Sequence, residues 1–139
     1  MTTINVLEAK LKAMDGYYSQ LLEYREYPQD KLENDPTLKG ALERYLYLLC
    51  QSAIDLGEAL IALKSFYQPG SYAEIFQTLK EKGIISPELT QKLIKMTGFR
   101  NAIIHDYQKF DFGIAYQVLM AGIDDIKEFE LTIKKYLNL

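Results

Sequence analysis

The sequence predicts an all-α fold, an up-and-down antiparallel bundle of about five helices. Apolar residues recur at spacings of three and four, and strand-like alternation is absent. Eight glycines and four prolines in 139 residues are too few for a turn-rich all-β domain. Cap residues and helix breakers separate the periodic segments by short loops, which favour antiparallel neighbours.

The first helix is expected from roughly Asn5 to Glu26, with a stripe at Leu7, Leu11, Met14, Tyr18 and Leu21. Pro28 ends it, because proline lacks the amide donor and clashes with the preceding turn. The second helix starts at Asp35-Pro36, since aspartate caps and proline suits the first helical position. It carries Leu38, Leu42, Tyr45, Leu49, Ser52, Leu56, Leu60 and Leu63, and Pro69-Gly70 follows as a breaker. Its length is about 40 Å at 1.5 Å per residue. A short third helix runs from Ser71 to Lys82 and stops at Gly83. The fourth begins at Ser86-Pro87 and runs to about Tyr107. The fifth, capped by Asp111, spans about Phe112 to Leu137, with Ala115, Leu119, Gly122, Ile126, Phe129, Ile133 and Leu137 along its apolar face.

Composition narrows the function. Hydrophobic residues make up 48% and charged residues 25%, an ordinary globular balance in a chain of single-domain length, so residues 1–139 are read as one domain. No apolar run approaches the roughly 20 residues of a membrane span, the start lacks a signal-peptide pattern, and a cytoplasmic location is expected. One cysteine, Cys50, excludes an internal disulfide framework, and its apolar helical neighbours suggest a buried structural thiol. One histidine, His105, excludes a multi-histidine metal site within one chain. A net charge of −3 argues against a broad electrostatic grip on nucleic acid, so any such contact needs a local patch.

The apolar pattern breaks in the fourth helix. Its stripe reads Leu89, Leu93, Met96, then Arg100, then Ile103 and Tyr107. Burying an unpaired guanidinium would cost several kcal/mol. Such local conflicts concentrate at functional sites. A plainer alternative is a long side chain reaching solvent or pairing with Asp55 or Glu58. Asn101 and His105 are four apart and share the adjoining face. Arg100 and His105 are five apart, about 140° around an ideal helix, so they converge only if the arginine reaches sideways, the helix end distorts or a second chain contributes. Lys92, Lys95 and Arg100 fall in a stretch without acids, from Leu89 to His105, which reads either as a phosphate-holding patch or as a solvated face. Asp55 is a candidate inward partner orienting Arg100 or His105. Asp55 and Glu58 alone make a weak metal site, and no metal is assigned. Tyrosines such as Tyr45 and Tyr47 read as core or interface residues.

Groups of these kinds can cut RNA without a metal, although a lone histidine is more often structural. A base takes the proton of the 2′-hydroxyl, which attacks the adjacent phosphorus, and a cation stabilises the phosphoryl oxygens. Histidine titrates near neutral pH, and the arginine fork matches phosphate. One histidine per chain is a thin supply for acid and base, which is a reason to expect a symmetric dimer.

Gly98-Phe99-Arg100-Asn101-x-x-x-His105-x-Tyr107 resembles the R-x(4)-H-x-Y signature of HepT toxins in the HEPN superfamily. Glu43 to Leu63, with Ala53-Ile54-Asp55-Leu56, resembles that family's long helix, and Ser71-Tyr72-x-Glu74-x-Phe76 with Gly83-Ile84 resembles its short element. The likeness covers nearly the whole chain in order, from there to the last helix after Asp111. The resemblance implies a HEPN-type bundle and a homodimer with an RNA-cleaving cleft between the chains. It implies Arg100 and His105 as catalytic residues and Asn101 as a supporting polar group. It also implies a partner, an MntA-type nucleotidyltransferase antitoxin that moves AMP from ATP onto Tyr107. The chain itself then needs no cofactor, ATP being the partner's co-substrate. Asp106 departs from the pattern, where relatives often have glycine, and an acid there would favour the imidazolium or repel phosphate. The rival reading is a non-catalytic helical module that binds a nucleotide or docks the transferase.

Overall fold

The computed structural model describes residues 3–105 and 111–139, and among them only helices, turns and loops occur. The elements are α1 (Ile4–Tyr24), α2 (Gln29–Asn34), α3 (Pro36–Leu63), α4 (Tyr72–Glu81), α5 (Pro87–His105), α6 (Phe112–Gln117), a π-helical turn (Val118–Gly122) and α7 (Ile123–Leu137). The five expected helices are present. The structure adds α2, a short helix after Pro28 that buries Leu32, and it interrupts the last rod with the π turn.

The expected caps form as side-chain hydrogen bonds. Asp35 Oδ1 accepts from the amides of Thr37 and Leu38. The hydroxyls of Ser71 and Ser86 accept from the amides of Glu74 and Leu89. Asp111 Oδ1 accepts from the Gly113 amide. Each satisfies donors that a helix start leaves unpaired, a contribution of about 1 kcal/mol. Gly83 adopts φ +72°, the left-handed conformation in which glycine ends a helix without a Cβ clash.

Helix α3 is the axis of the core. It packs against α1, α2, α4, α5 and α7, which explains why its apolar residues extend well beyond one stripe: Leu46, Cys50, Ala53, Ile54 and Ile61 are buried along with Leu42, Leu49, Leu56 and Leu60. By length and composition this helix could cross a membrane, with a mean hydropathy of 1.5 over its best window. Yet 56% of that window is buried inside the fold, as expected of a central core helix. Phe76 of α4 meets Phe129 of α7 edge to face, with centroids 5.6 Å apart.

The π turn has a structural consequence. A widened turn frees a carbonyl from the helical ladder, and Arg25 of α1 donates from Nε to the Leu119 carbonyl at 2.8 Å while pairing with Asp124 at 3.1 Å. The turn also shifts the register. Ile123 is fully buried, whereas Gly122, expected on the apolar face, is only half-buried.

A polar cluster ties α1 to α7. Lys127 Nζ donates to Asp15 Oδ1 at 2.7 Å and to Glu130 Oε2 at 2.9 Å, and Lys134 Nζ donates to Asp15 Oδ2 at 3.0 Å. Glu130 is 1% exposed. Burial, then its hydrogen bond with Asp15, pushes the Glu130 pKa up. The same bond, aided by the two lysines, holds Asp15 well below the usual carboxylate range. Burial works against the charge of Lys127, but hydrogen bonds to Asp15 and Glu130 outweigh it and raise its pKa. Lys134 is raised first by its bond to Asp15.

The signs define a pH window. The lysines titrate above 10.5 in the folded state, so their contribution is complete below 10.5 and is lost as pH rises through the folded values. Asp15 contributes above 3.8 and loses that contribution as pH falls through its folded value. Glu130 has the opposite sign, since ionising it in the buried site costs stability as pH rises past 4.5. Stability against urea should therefore hold a plateau and fall above about pH 10. In Lys134→Met that alkaline fall should be shallower. An unchanged alkaline limb in the variant would assign the fall to other groups.

Candidate functional site

Three helices converge on the Arg100 guanidinium. Arg100 lies in the last turns of α5 and is half-buried, at the position where the apolar stripe predicts a hydrophobic residue. Its Nε donates to Gln51 Oε1 of α3 at 2.8 Å, and its Nη1 donates to Asn101 Oδ1 at 3.0 Å. The guanidinium carbon lies over the Tyr72 ring at 5.3 Å and over the Tyr47 ring at 5.7 Å. Charge-assisted hydrogen bonds contribute about 1.5–3 kcal/mol each, and a partly desolvated cation–π contact contributes about 0.5–2. Together they offset the cost of holding the cation away from bulk water.

Local sequence explains each position. Tyr47, Gln51 and Asp55 are four apart along α3, so they form one stripe on its surface. Pro69-Gly70 breaks the chain, Ser71 caps α4, and Tyr72 becomes the first residue of that helix. Gln51 Nε2 donates to Asp55 Oδ1 at 2.9 Å, which fixes the orientation of the Gln51 amide and turns its oxygen to Arg100. Asp55 therefore acts on Arg100 at one remove, through Gln51. Glu58 lies further along α3, where burial and then the Asp55 charge raise its pKa.

The guanidinium carries five N–H donors. Among the described residues Nε and one proton of Nη1 are engaged, so Nη2 and the second Nη1 proton are left to meet an anion. The partners that orient the group, two amides and two phenol rings, carry no charge. Arg100 is thereby held in place without being neutralised.

The other predicted residues are distributed as follows. Asn101 is exposed beside Arg100. His105 is exposed and is the last described residue of α5. Asp106 and Tyr107 lie outside the described residues. Lys92 and Lys95 line a different groove, about 490 Å³, between α5 and the α6–α7 rod, whose walls include Met96, Phe99, Ile114 and Val118. Lys92 pairs there with Asp125 at 3.5 Å, so part of the basic charge counted along the chain is offset by an acid on another helix. Cys50 is fully buried, and burial pushes its thiol up to about 12 despite the charge of Arg100, consistent with a structural thiol. Tyr45 packs against the core and near the rings of Tyr17 and Tyr24, as expected from the sequence. Tyr47 is half-buried under the Arg100 guanidinium, and neither it nor Gln51 is marked as a site residue by the sequence alone. The signal for both is a polar stripe at four-residue spacing on an otherwise apolar helix.

The sequence pattern of the ribonuclease HepT-like family matches residues 14–133. The chain belongs to that family. The mRNA nuclease HepT of Shewanella oneidensis is 28% identical over 104 residues, covering 75% of this chain and 78% of that protein. The tRNA nuclease HepT of Aphanizomenon flos-aquae is 25% identical over 137 residues, covering 97% of this chain and 91% of that one. Among solved structures, the tri-AMPylated HEPN toxin of Shewanella oneidensis in complex with its MNT antitoxin superimposes with a TM-score of 0.85. It is 24% identical, and the match covers 94% of this chain and 97% of that one. In this HepT-like bundle the R-x(4)-H segment spans Arg100 to His105 in α5, and its Arg100 meets α3 and the start of α4.

Proposed function

We propose that this HepT-like chain is a metal-independent endoribonuclease, the toxin of a toxin–antitoxin pair working in the cytoplasm. The supporting observation is Arg100, fixed by uncharged partners with donors to spare, five residues before an exposed His105. Arg100 grips the non-bridging oxygens of the scissile phosphate and stabilises the charge that develops there. His105 takes the proton from the 2′-hydroxyl, whose oxygen attacks phosphorus. The 5′-oxygen leaves and is protonated, producing a 2′,3′-cyclic phosphate. His105 of a second copy is the candidate acid, so the functional unit is a homodimer. Asn101 supports the guanidinium, and Asp55 acts through Gln51. Lys92 and Lys95 attract the flanking RNA. An MntA-type nucleotidyltransferase silences the chain by moving AMP from ATP onto Tyr107, adding negative charge and bulk two residues from His105.

Support for the toxin reading comes from the named nuclease relatives and from the antitoxin complex of the related fold. The test is cleavage of RNA by the purified chain in excess chelator, with end-group analysis. Cyclic phosphate ends in wild type and a loss of about 10²–10⁴-fold in His105→Ala are expected, the range for removing a general acid–base group. A chain that binds nucleotide but cuts no RNA would overturn the reading in favour of a binding module.

A further inference from the structure

A second arginine shares the Tyr47 ring. Arg44 is exposed on α3, one helical turn before Tyr47, and its guanidinium carbon lies over that ring at 5.6 Å. Arg100 lies over the same ring at 5.7 Å. Two like charges thus gather on one phenol in a chain of net charge −3. Neither has a carboxylate within ion-pair distance among the described residues. Like charges on one ring repel, and an anion placed between or across them removes that repulsion.

We propose that Arg44 is a second phosphate-binding residue of the same cleft, gripping an RNA phosphate next to the one held by Arg100. This rests on the endoribonuclease reading above. Arg100 is half-buried and fixed on both sides. Arg44 is exposed on the solvent side of the same ring's helix, free to meet an anion from water. The two guanidinium carbons lie 5.6 and 5.7 Å from the centre of one ring, close enough for phosphates of one strand to reach both. A polyanion with regularly repeated charges fits two permanently charged groups at such a spacing better than an isolated anion does. Arg44 thus sets affinity and register along the RNA, and the chemistry remains with Arg100 and His105.

The experiment measures binding and cleavage of one single-stranded RNA oligonucleotide against salt. For single strands, log K falls with log[salt] by about 0.7 per phosphate contact. Arg44→Ala should raise KM by roughly tenfold and reduce that slope by about 0.7, with Arg44→Lys restoring much of both. Lys64→Ala removes the same charge just beyond the far end of α3 and should leave the slope unchanged. Equal slopes in Arg44→Ala and wild type, or equal losses in Arg44→Ala and Lys64→Ala, would overturn the proposal while leaving the nuclease reading intact. Unchanged RNA binding with lost antitoxin binding in Arg44→Ala would also overturn it, assigning the arginine to a protein partner. If wild type neither binds nor cuts RNA, the nuclease reading fails first and the role of Arg44 fails with it.

Discussion

Arg100→Leu is expected to lower single-turnover RNA cleavage by about 10²–10³-fold, the usual effect of removing one preorganised donor from a developing anion. Its folding stability should stay close to wild type. The substitution forfeits a cation–π contact of about 0.5–2 kcal/mol and leaves Gln51 without its donor. It restores an apolar residue between Met96 and Ile103, however, on the stripe that packs α5 into the bundle. Arg100→Lys should recover only a small part of the activity, because an ammonium cannot both donate to Gln51 and present a planar fork to phosphate. The checks are cleavage rates and urea midpoints on the same preparations. A Leu variant that is more stable than wild type and cuts RNA equally well would reduce Arg100 to a structural oddity.

The chemistry of its partners leaves the Arg100 charge available to an anion. A carboxylate touching Arg100 directly would have neutralised it and competed with phosphate. Gln51 supplies direction without charge, and the Asp55 carboxylate is spent on orienting Gln51. The two tyrosines give the cation electron-rich surfaces that likewise leave its edge open.

The sequence revealed what depends on local rules. Asp35, Ser71, Ser86 and Asp111 mark helix starts because capping is a contact between near neighbours, and Gly83 marks a stop for the same reason. Arg100 stood out as a charge on an apolar stripe. Features that depend on packing between distant segments stayed hidden. The π turn keeps nearly helical periodicity, and Arg25, 94 residues away, satisfies its freed carbonyl. Read from sequence, Asp55 is the candidate partner of Arg100, and Gln51 carries no mark. Only the folded arrangement shows that Gln51 meets Arg100 and Asp55 meets Gln51. The pairing of Lys92 with Asp125 is another cross-helix fact that a charge count along one segment misses.

Phe76→Ala is expected to cost about 3–5 kcal/mol, as large aromatic deletions in packed cores do. That is a large share of a typical stability of about 5–15 kcal/mol. Phe76 is fully buried against Phe129 and lies one helical turn after Tyr72, so it anchors the face of α4 that delivers Tyr72 to Arg100. The same helix is held close to α3 by Gly57, where an added Cβ would sit 2.6 Å from Ile75 Cγ2. Gly57→Ala should therefore push α4 outward at a cost of about 1–3 kcal/mol. Both variants should lose cleavage beyond what unfolding explains, because Tyr72 withdraws from the guanidinium. Leu7→Ala supplies the comparison, since Leu7 is fully buried on α1 and contributes nothing to the site. Urea melts give the folded fraction of each variant, and cleavage is then compared per folded molecule. Phe76→Ala and Gly57→Ala should fall well below Leu7→Ala on that scale. Equal activity per folded molecule in all three would mean that α4 merely completes the core and that Arg100 is held without Tyr72.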